Sequence, residues 1–284
     1  MKIGITEAGD ASIDYGWLEK APDMDMMVLI TKHVTDEFIE KVMPFANKTI
    51  LHATCTGYGQ TVVEPRVPAY SVQLEQVRKL IAYGFPADQI VIRIDPIIPT
   101  PKGCSLVEKI VEDIHLDVTR FRVSVLDNYP HVKQRFQSRR IPALYGGNFQ
   151  ASEEDFKRVD LTLSRLKFRF PNITFESCAE PNLSKAEKIG CVAKDDMEKF
   201  GLKARKSTKK QRSDCLCAAG KTEMLKHNSF KFCTKHGIPA TDCVAMQKCT
   251  DCGQCETLLY VEGLGYYRQL RQAPSGVERG YRGR

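Results

Sequence analysis

Residues 49–60 read Thr49-Ile50-Leu51-His52-Ala53-Thr54-Cys55-Thr56-Gly57-Tyr58-Gly59-Gln60. An apolar, β-branched run stops in a glycine loop. Past the loop, Val72–Tyr83 places Leu74, Val77, Leu80 and Ile81 on one helical face. Gln89–Ile94 is then apolar and β-branched again. Strand, loop, helix and strand at this spacing form the repeating unit of a parallel sheet with helical crossovers.

The same alternation extends both ways. Met1–Thr6, Met26–Thr31, Arg120–Leu126 and Asn172–Glu176 read as further strands. Thr35–Phe45, with Phe38, Ile39, Val42 and Met43 on one face, Leu106–Ile114 and Glu153–Phe168 read as helices. About six such units imply an α/β fold, a complete or partial parallel (β/α) barrel over residues 1–202. Pro65, Pro68, Pro96, Pro99 and Pro101 follow apolar runs, where strands should give way to loops. After Leu202 the periodicity fades. Residues 203–267 read as a cysteine-rich, metal- or cluster-binding segment packing on the barrel, with Glu256–Tyr267 as a last strand or helix. Residues 268–284 read as a basic, disordered tail.

Seven of the 11 cysteines fall between Cys215 and Cys255. No run of about 18 apolar residues exists to span a membrane, and the start, Met1–Thr6, lacks the apolar stretch of a signal peptide. Both point to a reducing cytoplasm, where clustered cysteines favour metal or redox chemistry over disulfides. Cys249, Cys252 and Cys255 lie three residues apart, a spacing that wraps thiolates around one inorganic centre. Cys243 stands six residues earlier as a fourth ligand. Cys215, Cys217, Cys233 and His236 form a second group. Either quartet suits zinc, and the thiolates equally suit an iron–sulfur cluster. The net charge of +7 concentrates in Lys203–Arg212 and Arg268–Arg284, which admits nucleic acid or a phosphorylated substrate as partner.

In parallel α/β folds the reactive groups gather at the carboxyl ends of the strands. The third strand ends in Thr56-Gly57-Tyr58-Gly59, whose glycines let backbone approach a ligand. The next strands end in Arg93 and Asp95, in Asp127, and in Glu176 and Glu180. Polar groups at four successive strand ends favour a site. His52, within the third strand, reads as a satisfied core histidine, and Cys55 and Cys178 as small buried hydrophobes.

Several of these segments resemble the domain-of-unknown-function family 1848, in order and spacing, from about Val28 to Cys255. They are His52-Ala-Thr-Cys-Thr-Gly-Tyr-Gly59 with Glu64-Pro65 and Val67-Pro68; Arg93-Ile-Asp-Pro-Ile-Ile98; Ser124-Val-Leu-Asp127 with Tyr129; Ser177-Cys-Ala-Glu180; Cys191; and Lys210-Gln-Arg212 leading to Cys215-Leu-Cys217. The resemblance implies a radical-SAM-like barrel with its cluster cysteines near the C-terminus. It implies that Cys249, Cys252 and Cys255 hold a [4Fe–4S] cluster, whose open iron would take S-adenosylmethionine. A second cluster or zinc would use the other cysteines. Thr56, Gly57, Tyr58 and Gly59 would then meet S-adenosylmethionine, and Arg93, Asp95, Asp127, Glu176 and Glu180 would orient it or the substrate. The chain departs from the family pattern in its last triplet, Cys-x-x-Cys-x-x-Cys in place of Cys-x-x-x-Cys-x-x-Cys, and in an expanded stretch from Cys217 to Cys249.

Two functions follow as expectations. The first is an iron–sulfur enzyme of radical S-adenosylmethionine type, acting on a small molecule or a nucleobase in DNA or RNA and fed by a reductant such as flavodoxin or ferredoxin. The second is a zinc-organised nucleic-acid-binding or assembly protein on a catalytically inactive barrel. Carboxylates converging on one rim favour the enzyme.

Overall fold

The computed structural model describes residues 1–7, 10–64, 67–138, 140–178, 180–204, 216–220, 223–226, 232–233 and 238–239. Its centre is a parallel sheet of eight strands: β1 (Ile3–Ile5), β2 (Met26–Thr31), β3 (Thr49–Thr54), β4 (Ile90–Ile97), β5 (Arg120–Val125), β6 (Thr174–Ser177), β7 (Glu187–Lys188) and β8 (Met224–Lys226). The spatial order is β7-β6-β5-β4-β3-β2-β1-β8. Strands β1 to β7 therefore follow one another across the sheet without a reversal, as in a barrel and unlike a doubly wound sheet. No pairing joins β7 to β8 among the described residues, so this is a partial barrel. A short antiparallel pair, β9 (Phe232–Cys233) and β10 (Ile238–Pro239), forms a separate two-stranded sheet.

Among the described residues the α-helices are α1 (Asp36–Val42), α2 (Tyr70–Ala82), α3 (Pro101–Ile114), α4 (Pro130–Ser138), α5 (Glu153–Arg169) and α6 (Lys194–Lys199). Local chemistry sets their starts. The Thr35 hydroxyl accepts from the Phe38 N–H, the Thr100 hydroxyl accepts from the Gly103 N–H with Pro101 in the first turn, and Ser152 with Asp155 makes a reciprocal capping box. Pro101 thus opens a helix. Pro96 departs from the sequence reading in another way: β4 runs through it to Ile97, with an irregular register to β5 between Ile94 and Ile97.

Alternation along the strands sorts side chains to two faces. Met27, Leu29, Leu51, Ile92, Phe121, Val123 and Phe175 meet the helices in the larger apolar cluster. The other face holds Ile3, Ile5, Met26, Val28, Ile30, Ile50 and Val91, covered by Val192, Met197 and Ala219. Polar rows cross this second, inner face. Thr54, Arg93, Arg122 and Glu176 stand in register across β3 to β6. Two positions further along come Asp95, Ser124 and Cys178.

Glu176 and Arg122 are each 2% exposed. Arg120 Nε–H donates to Glu176 Oε1 at 2.8 Å, and Arg122 Nη2–H donates to Glu176 Oε2 at 2.6 Å. Arg120 Nη1–H reaches Asp196 Oδ1 of α6 at 2.7 Å. Asp10 plays a similar part after β1. Its carboxylate accepts from Thr31 Oγ1–H at 2.6 Å, from the Lys32 N–H at 2.8 Å and from the Ser12 N–H at 3.0 Å. Burial works to raise the Asp10 carboxyl, but His33, Thr31 and the Lys32 N–H together hold it below the usual range.

Glu176→Gln leaves the buried Arg122 guanidinium, and the half-buried Arg120, without their shared counter-charge. It lowers unfolding free energy in urea by about 3–5 kcal/mol; an unchanged midpoint would count against the network. The depressed folded-state value of Asp10 gives stability that is complete above the unfolded value and lost as pH falls through the folded one. Between pH 5 and pH 2, Asp10→Asn therefore shows a shallower loss of stability than the unsubstituted protein, and a cost of about 1–3 kcal/mol at pH 7.

Candidate functional site

A cavity of about 320 Å³ opens at the carboxyl ends of the strands, within the usual size of small-ligand sites. Lys32 from beyond β2, Thr56 and Glu64 from beyond β3, Asp95 from β4, Ser124 and Asp127 from β5 and its end, and Glu180 from beyond β6 all line it. Its apolar wall is Tyr58, Ile98 and Phe136, with Val63, Leu126 and Val132 packed alongside.

The loop after β3 owes its shape to two glycines. Gly57 has φ +81°, a left-handed conformation that disfavours other residues. Gly59 lies so close to the next turn that an added Cβ would sit 1.7 Å from the Pro68 carbonyl oxygen. Gln60 N–H donates to the Glu64 and Val67 carbonyls, both at 2.9 Å. The loop thereby turns Glu64 back over Thr56, whose hydroxyl donates to it, while Lys32 pairs with the same carboxylate.

The carboxylates differ in charge state. Burial alone would raise Asp95, but the Arg93 charge and hydrogen bonds from Ser124 and Arg93 hold it below the ordinary range. Burial pushes Glu180 up to about 7, with the like charges of Asp127 and Asp95 adding and the Val125 N–H and Lys188 opposing. Val125 N–H donates to Glu180 Oε1 at 3.2 Å. Asp127 is also raised, by burial. One group held ionised beside one that titrates near neutrality is the separation that acid–base chemistry uses.

Of the residues expected at the rim, Asp95, Asp127, Glu180, Thr56 and Tyr58 line the cavity. Gly57 and Gly59 shape its loop. Arg93 stands behind Asp95 as its partner. Glu176 lies deeper, inside the ion network of the inner face. Lys32, Glu64 and Ser124 join the site although the sequence reading did not select them. The glutamate five residues past the second loop glycine carried the signal for Glu64; nothing local marked Lys32.

His52 is a core residue, but not a satisfied one. It is fully buried, and neither ring nitrogen has a hydrogen-bond partner. Burial, then the charges of Arg122 and Arg93, draw its value well below the ordinary range, so the ring is neutral. Cys55 is buried, in agreement with the sequence reading. Cys178 is half-buried, and its thiol interacts with that of Cys191. The Cys191 thiol interacts in turn with that of Cys217. Those interactions, with Arg93 and Arg122 nearby, draw the Cys191 thiol down against its burial, while the interaction with Cys191 and burial push Cys178 up. Cys178 and Cys217 meet through Cys191, and no ready-made group of three metal-ligating side chains exists among the described residues. Cys215, Cys243, Cys249, Cys252, Cys255 and His236 lie outside the described residues, as do most of the two basic runs. The backbone of Cys233 lies opposite Ile238 in the β9–β10 pair. No helix among the described residues is long and apolar enough to cross a membrane.

A protein-family model described as "Domain of unknown function (DUF1848)" matches residues 17–223. No curated protein and no solved structure matches the chain significantly.

The close approach at Gly59 is to backbone and cannot be relieved by rotating a side chain. Gly59→Ala lowers stability by about 1–3 kcal/mol, the range for a forced overpacking. Thermal unfolding checks this, and a melting temperature equal to the unsubstituted protein's would show that the loop relaxes freely.

Proposed function

The chain belongs to the DUF1848 family, and from its sequence resemblance and its rim cavity we propose an iron–sulfur enzyme of radical S-adenosylmethionine type. The observation that carries the reading is the convergence of four carboxylates and one lysine on a single cavity at the strand ends. That donor set suits a ligand bearing a sulfonium, an ammonium and a carboxylate. Cys249, Cys252 and Cys255 would hold the [4Fe–4S] cluster, which supplies one electron to the bound sulfonium compound when both are present.

The chain's own residues do the rest. Asp95, held ionised by Arg93, offers a fixed negative charge to a cationic group. Thr56 and the Gly57–Gly59 turn hold Glu64 in place beside Lys32. Glu180 can keep or release a proton near neutral pH. Tyr58, Ile98 and Phe136 keep one wall dry, which strengthens each polar contact in the cavity. The substrate is a small polar molecule or a nucleobase in DNA or RNA; the basic runs support the second. A flavodoxin or ferredoxin would supply the electron.

Purification without oxygen, with iron and acid-labile sulfide determinations and a visible spectrum, tests the cluster. Incubation with S-adenosylmethionine and dithionite should release 5′-deoxyadenosine, and Asp95→Asn should slow that release by about 10²-fold. Protein containing zinc and no iron would end the reading. Oligonucleotide binding across a salt series separates the substrates: affinity that falls with rising salt supports nucleic acid, and none even at low salt restricts the substrate to small molecules.

A further inference from the structure

A second polar centre lies on the inner face. Cys178 follows β6, Cys191 follows β7, and Cys217 stands in residues 216–220, some forty residues after Cys178 in the chain. Backbone packing brings them together. Ala218 N–H donates to the Val192 carbonyl at 2.8 Å. An added Cβ on Gly190 would lie 2.2 Å from the Cys217 nitrogen. The two segments thus run against each other with no room for a side chain between them. The Cys191 thiol interacts with both other thiols, and none of the three is in a disulfide.

The surroundings are unusual for a plain apolar interior. Arg122 is 2% exposed, and its Nε and Nη1 have no hydrogen-bond partner. Arg93 Nε and both ring nitrogens of His52 are likewise buried without partners. The charges of Arg93 and Arg122 act on Cys191. Each buried donor left unsatisfied is costly. Three thiols beside unused guanidinium donors are complementary to a compact centre of negative charge.

We propose that Cys178, Cys191 and Cys217 bind one thiophilic divalent cation, zinc, with its fourth position open to another ligand. As they stand the three side chains do not form a metal-holding group; Zn–S bonds of about 2.3 Å in a tetrahedron need neighbouring sulfurs about 3.8 Å apart, which the ion imposes by turning the thiols towards it. A cubane cluster binds each thiolate to a different iron and needs a wider spacing. On binding, three thiols release their protons to solvent. Three thiolates and Zn²⁺ leave a single negative charge, which Arg122 and Arg93 offset. The ion closes the chain of thiols into a triangle and staples residues 216–220, the entry to the cysteine-rich segment, onto the barrel. This site uses none of Cys249, Cys252 and Cys255, and it does not depend on the radical-enzyme reading.

The test uses the full-length protein. Metal analysis should find about one zinc per chain that is lost in Cys178→Ser, Cys191→Ser and Cys217→Ser and kept when Cys249, Cys252 and Cys255 are replaced together. A count unchanged by the first three variants, or iron lost there in place of zinc, would overturn the site. A second measurement needs no variant. Alkylation mapped by mass spectrometry should label Cys178, Cys191 and Cys217 after chelation and spare them before it. Equal labelling in the two states, or a Cys178–Cys191 disulfide under reducing conditions, would also overturn it. Iron loss from the C-terminal triplet alone bears on the proposed enzyme and leaves the zinc site standing.

Discussion

Glu176 is shut between Arg120 and Arg122 on the inner face of the sheet. Charges at that depth survive only in pairs, because desolvation otherwise outweighs their attraction. The pairing therefore fixes the register of β6, a strand of only four residues, against β5. It reaches further through Arg120 to Asp196, which draws α6 across the inner face. Val192 and Met197 then cover Ile3, Ile5 and Val28. An aliphatic residue in place of Glu176 would fill the volume but would lose the anchor for this covering segment.

Arg93 links the two polar centres. It pairs with Asp95, which lines the rim cavity, and its charge also acts on Cys191 below. A change in charge at the thiols would be felt at Asp95 through one guanidinium, and a cation seated against Asp95 would compete for the same group. In a low-dielectric interior such coupling falls off slowly with distance. Binding events at the two places therefore need not be independent.

Most of the scaffold was legible in the sequence because the strands are continuous apolar runs. Met26–Thr31 and Thr49–Thr54 begin and end as the sequence indicates, since each is bounded by polar or glycine-rich residues. Helix α4 escaped notice because Pro130–Ser138 is too polar to show an apolar stripe. Strands β7 and β8 are two and three residues long, below the length at which alternation can be seen. β8 also lies beyond residue 202, so the sheet draws a strand from the irregular, cysteine-rich segment that was expected only to pack on the barrel. The rim was half legible. Strand ends can be counted, but whether a charged residue at an end faces a cavity or the interior differs by two positions. Asp95 and Glu176 fall on opposite sides of that line. The meeting of Cys178, Cys191 and Cys217 was invisible, because no spacing rule joins residues brought together only by folding.

Gly190 has a consequence for substitution. Its hydrogen is the spacer between two stretches of backbone, so every other amino acid would act as a wedge. Substitution at this position is therefore disfavoured by sterics alone. A chain that keeps Cys191 but has a bulkier residue just before it would have to open this backbone contact to seat its later segment.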